Sequence, residues 1–128
     1  MERNHIEGTW QKERSFSPAV ITSGGEHTIW VAGHGGQVDD DGNSLAGDFD
    51  AQVHQSFANL AATLASAGAD LADMVTMTVF IIDTRYGDRF TELRAAYFPD
   101  GFPASALITV KGFAKPEMMV EIQGMAVV

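Results

Sequence analysis

Cysteine is absent from this chain of 128 residues. Its absence excludes disulfides, zinc–thiolate sites, iron–sulfur clusters and a cysteine nucleophile together. Basic residues are scarce, 8 against 17 acidic ones, for a net charge of −9. A surface of that sign repels nucleic acid and anionic membranes, so neither is expected as a partner. Long apolar runs are also missing. None approaches the ~20 residues that cross a bilayer. The opening Met1-Glu2-Arg3-Asn4-His5 starts no apolar stretch of the signal-peptide kind, and a cytoplasmic location is expected. The four histidines (His5, His27, His34, His54) lack close metal-ligand spacing, so no metal and no cofactor are predicted. No P-loop and no Gly-x-Ser-x-Gly occur, and Gly33-His34-Gly35 lacks the third glycine of a dinucleotide fingerprint.

What remains is an ordinary globular balance, 45% hydrophobic and 20% charged, at a length suited to one domain. A single domain over 1–128 is expected, with residues 1–13 as a less ordered leading segment. Residues 16–22 and 28–32 read as strands, with Ser23-Gly24-Gly25-Glu26-His27 turning between them. Asp48 is positioned to cap a helix running to about Ala67. Its apolar residues Phe49, Val53, Phe57, Leu60 and Leu64 step by four, four, three and four, which is one helix face. Gly68 is a natural stop. Residues 74–82 form the strongest strand signal, apolar or β-branched throughout, as though both faces were covered. A second helix is predicted over about 87–97, with Phe90, Leu93 and Tyr97 on one side. Strands at 105–111 and 118–128 close the chain.

The order β-β-α-β-α-β-β predicts an α+β domain of two layers, with both helices on one face of a mixed sheet. A chain this short has nothing left to cover the other face. Burial against further copies of itself is the simplest solution, so an oligomer is expected.

Alternation in the last strand places Val120, Ile122, Gly124 and Ala126 on one face and Met119, Glu121, Gln123 and Met125 on the other. A mid-strand carboxylate among methionines is costly to bury unless paired. Glu121 is then a rim residue, a salt-bridge partner of Lys111, or a pocket carboxylate tuned by desolvation for acid–base work. His34 ends a strand before two glycines. It reads either as a surface turn residue or as a ligand contact where the backbone can come close. The acidic loop Gln37–Asp48 loosely echoes a calcium loop, but Gln37 and Asp48 misfit its ends, and an acidic turn is the better reading. His54 reads as solvated, and Phe16 and Trp30 as core.

Several segments taken in order resemble the Rid (YjgF-like) family of reactive-intermediate deaminases. Phe16-Ser17-Pro18-Ala19-Val20 resembles Tyr-Ser-x-Ala-Val, and Val31-Ala32-Gly33-His34 resembles Val-Ser-Gly-Gln. Gln55-Ser56-Phe57-Ala58-Asn59-Leu60 and Asp73-Met74-Val75…Thr78-Val79-Phe80…Asp83 are similar to the family's helix and central strand. Phe98-Pro99…Pro103-Ala104-Ser105 resembles its Pro-Ala-Arg, and Val120-Glu121-Ile122…Ala126 its closing Glu-Ile-Glu-x-Ala. The resemblance runs from about residue 14 to 128. It implies a chorismate-mutase-like fold and a homotrimer with three small-molecule clefts between subunits. It implies hydrolysis of enamines or imines to ketones and ammonia, with an arginine gripping the substrate carboxylate and an acid in the last strand positioning or activating water.

Carried over residue by residue, the acid falls on Glu121. The arginine falls on Ser105 and the following serine on Ala106. The cleft tyrosine falls on Phe16, the serine of Val-Ser-Gly on Ala32 beside Gly33, the glutamine on His34, and an asparagine of the second helix on Thr91. Glu121 and His34 are therefore the expected catalytic pair in one pocket. Phe16, Ala32, Gly33, Thr91, Ser105 and Ala106 are the expected substrate contacts. With the arginine replaced, activity on 2-iminopropionate should be weak or nil. Two readings stay open: an enamine or imine hydrolase, and a non-catalytic trimer that binds a small polar metabolite or modulates a partner. The family's older ribonuclease label fits poorly with the net charge of −9.

Overall fold

Asp48 accepts a hydrogen bond from the Ala51 N–H through its side chain and starts helix α1, Phe49–Ser66. The periodic face buries completely: Val53, Phe57, Leu60 and Leu64 are all at 0% exposure. Gly68, at φ +80°, ends the helix in the left-handed conformation. The computed structural model describes residues 1–128 throughout. Its strands are β1 (Glu2–His5), β2 (Val20–Ser23), β3 (Thr28–Gly35), β4 (Met74–Ile81), β5 (Ala104–Thr109) and β6 (Val120–Val127), and helix α2 spans Gly87–Ala95.

Four strands form the main sheet in the order β3-β6-β4-β5. Strands β4 and β5 run parallel and the other pairs antiparallel, so the sheet is mixed. Both helices lie on one face. Phe57 of α1 packs near Phe90 of α2 and joins Met77, Val79, Ile81, Val120, Ile122 and Ala126 in one core. Contact between α1 and the end of β3 is close because Gly36 has no side chain: a Cβ there would lie 2.3 Å from the Gln52 carbonyl oxygen. Ser56 and Asn59 donate side-chain hydrogen bonds to the carbonyls of His34 and Gly35 and fix that docking.

Three expectations are corrected. The leading segment is ordered: β1 pairs antiparallel with β2, and Gln11–Arg14 forms a 3₁₀ turn. Strand β2 therefore pairs with β1 and not with β3, and Gly24 and Gly25, both at positive φ, turn the chain from one sheet into the other. Strand β4 is not covered on both sides. Met77, Val79 and Ile81 are buried under the helices, whereas Thr76, Thr78 and Phe80 on the opposite face are half-buried. Trp30 belongs to that open face and is 78% exposed, because no element of the chain lies over it.

Candidate functional site

Strand β3 carries a bulge. Val31 pairs with Gly124 and His34 with Ile122, so three steps on β3 match two on β6, and Ala32 and Gly33 share one partner position. The extra residue reverses the alternation. Gly33 faces Glu121, and a Cβ on it would lie 2.7 Å from the glutamate carboxyl carbon. His34 turns instead toward α1. Its Nδ1 lies 2.6 Å from the Ala32 carbonyl oxygen and its Nε2 lies 2.7 Å from Thr63 Oγ1. Uninterrupted alternation would have set His34 beside Glu121. The bulge places them on opposite sides of the sheet, and within one chain they share no pocket.

Glu121 sits between the buried Val120 and Ile122 and points to the open face. It forms no ion pair with Lys111 or with any other residue of the chain. Ala106 is level with Thr78 in the β4–β5 register, hence also on the open face. A groove of about 500 Å³ runs across this face, lined by Trp30, Ala32, Thr76, Thr78, Gln123 and Met125 among others but not by Glu121 itself.

The other expected contacts meet elsewhere. Ser105 is level with the buried Met77, which directs it to the helix side of the sheet. There Phe16, Thr91 and Ser105 line a pocket of about 230 Å³ together with Trp10, Arg14, Arg94 and Leu107. Thr91 Oγ1 donates to the Gly87 carbonyl, one turn back along α2. Trp10 meets Phe16 edge-on, with ring centroids 5.6 Å apart.

Sequence reasoning missed Trp10, Arg14, Leu107 and, most consequentially, Arg94. Arg94 is 2% exposed. Its Nε donates to Ser15 Oγ at 3.1 Å, Nη1 to Ser105 Oγ at 2.6 Å, and Nη2 to the Arg14 carbonyl at 3.1 Å. The guanidinium lies 5.0 Å from the Phe90 ring centroid and 6.0 Å from that of Phe16. No carboxylate pairs with it. Burial, and then the neighbouring charge of Arg14, draw its pKa down to about 10. A signal was available: Arg94 follows Phe90 by four, on the helix face that enters the core.

The acidic loop resolves as a turn. Asp39 Oδ1 accepts the N–H groups of Asp41 and Asn43. His54 is exposed and contacts the Tyr97 hydroxyl.

The sequence matches the family described as Endoribonuclease L-PSP over residues 9–128. A RutC family protein of Pyrococcus abyssi is 30% identical over 98 residues, 77% of this chain and 76% of that protein. The chain belongs to the Rid family. A Rid-family protein of unknown function from Yersinia pestis superposes over the whole of both chains, with a TM-score of 0.87 at 27% identity. RidA from an Antarctic Psychrobacter superposes over 89% of each chain, with a TM-score of 0.73 at 28% identity. In this Rid chain the residues expected from the sequence to contact a ligand thus form two groups. Ala32, Gly33, Ala106 and Glu121 are on the open face, and Phe16, Thr91 and Ser105 are on the helix side by the β5 edge.

Proposed function

We propose that this Rid protein works as a cytoplasmic homotrimer that binds a small polar metabolite in clefts between subunits and hydrolyses an enamine or imine there. The observation that carries this reading is the division of the site. Glu121 lies on one face of the sheet, while the Phe16–Thr91–Ser105 pocket opens on the other side. One chain cannot bring both to one ligand. A neighbour laid against the open face can, and the same contact covers Trp30 and Ile108, now 78% and 43% exposed.

In the reaction the Glu121 carboxylate accepts a proton from water as the water oxygen attacks the imine carbon. The proton passes to the former imine nitrogen. Collapse of the resulting R₂C(OH)NH₂ forms the C=O bond and breaks the C–N bond, with Glu121 carrying the hydroxyl proton to the leaving nitrogen, so R₂C=NH and water give R₂C=O and NH₃. Gly33, having no side chain, leaves room for the Glu121 carboxylate against β3. An RNA substrate is disfavoured by the net charge of −9.

Light scattering should give about three times the 13.8 kDa chain mass. Ammonia release should be measured on a panel of imines generated in situ. A monomer at micromolar concentration overturns the cleft. A trimer that binds 2-oxo acids but releases no ammonia from any imine overturns the hydrolase reading and leaves a binding protein.

A further inference from the structure

An arginine buried without a carboxylate is an expensive arrangement, because neutral acceptors recover only part of the hydration that the cation gives up. Arg94 makes three hydrogen bonds, all to neutral oxygens. A guanidinium has five N–H donors, so two are left over. The other cation of the pocket, Arg14, is already paired with Asp88. The pocket therefore carries one uncompensated positive charge. Its walls are otherwise aromatic or neutral: Trp10, Phe16, Thr91, Ser105 and Leu107. At about 230 Å³ it has the volume of about eight liquid waters.

We propose that Arg94 is the anion-holding residue of this protein, gripping the carboxylate of a small monoanionic ligand from helix α2. The position at which the family resemblance requires an arginine is Ser105, on β5. Here Ser105 is short enough for a guanidinium from the helix to enter the space above it, and its hydroxyl accepts from Nη1 and holds the group in place. The cation is relocated, not lost. One positive charge selects a monoanion over a phosphate dianion, and the small volume with apolar walls selects a short acid. Arg94 binds and orients; it takes no proton in the reaction. This inference rests on reading Phe16, Thr91 and Ser105 as a ligand pocket, yet it does not require turnover.

The test is calorimetric titration of the intact protein with 2-oxobutanoate and with its uncharged methyl ester. Wild type should bind the acid and discriminate against the ester. Arg94→Met should lose at least about 30-fold in affinity for the acid and leave the ester unchanged. Arg94→Lys should fall between them, since an ammonium keeps the charge without the planar fork. Circular dichroism and mass measurement confirm that each variant is folded and in the wild-type assembly state. Equal binding of acid and ester by wild type, no binding of the acid, or wild-type affinity in Arg94→Met would each overturn the proposal. Acid binding that depends on Arg94 in a protein that releases no ammonia sinks the hydrolase and leaves the anchor standing.

Discussion

Arg94 on α2 donates a 2.6 Å hydrogen bond to Ser105 on β5, and no carboxylate accompanies the pair. A buried charge held only by neutral acceptors adds little to folding, because the cost of desolvating it offsets the hydrogen bonds it makes. Arg94→Met is therefore expected to unfold in urea no earlier than about 1 kcal/mol below wild type. Destabilisation by 3 kcal/mol or more, as roughly expected when a structural buried network is broken, would make Arg94 a structural residue.

Two glycines should respond differently to one added methyl group. In Gly36→Ala the Cβ meets backbone at 2.3 Å from Gln52 O and 2.6 Å from Ser56 N, so α1 must shift. A loss of about 2–4 kcal/mol is expected by denaturant titration. In Gly33→Ala the three atoms nearest the Cβ all belong to the Glu121 side chain, which can swing aside. The fold should survive with a loss under about 1 kcal/mol while turnover falls by at least about tenfold.

His34 is bonded to Ala32 and Thr63 and braces the bulge. His34→Ala should cost about 1 kcal/mol of stability, from lost hydrogen bonds, and leave kcat within about twofold. Glu121→Gln should abolish turnover and leave stability and assembly unchanged. A collapse of kcat in His34→Ala, with the fold intact, would return His34 to the chemistry.

Carboxylate affinity should stay level from about pH 6 to about pH 9, because Arg94, drawn down only to about 10, keeps its charge across that range. Arg14 is the other charged group lining the pocket, and Asp88 accompanies it. The same group sets a stability trend. Its folded-state pKa lies below that of an ordinary guanidinium, so above about pH 10 the unfolded chain holds the extra proton, and the penalty for burying the charge is relieved as pH rises. Titrations at fixed ionic strength check both.

The helices, the mixed sheet and the place of Glu121 were legible because each follows from a local period. Phe49 to Leu64 keeps to one helix face, and Val120, Ile122 and Ala126 keep to one strand face. Strand β1 was not legible, since Glu2-Arg3-Asn4-His5 has no apolar alternation and is held by its pairing with β2. His34 was expected beside Glu121, but the bulge at Ala32–Gly33 shifts the phase by one residue, leaves no mark in composition, and turns His34 toward α1 within its own chain. Arg94 was missed because its role depends on Ser105 being small, a relation between residues eleven positions apart on different elements.

In the proposed trimer, one working site takes Glu121 from one chain and Arg94 from another. Glu121→Gln and Arg94→Met subunits, each inactive alone, can be unfolded, mixed in equal amounts and refolded together. If the halves come from different chains, random assembly leaves about one cleft in four with both native residues. Ammonia release should then return to about a quarter of the wild-type rate. If both residues serve the same site from the same chain, no cleft in the mixture is intact, and activity that stays at the level of the two parents would contradict the claim.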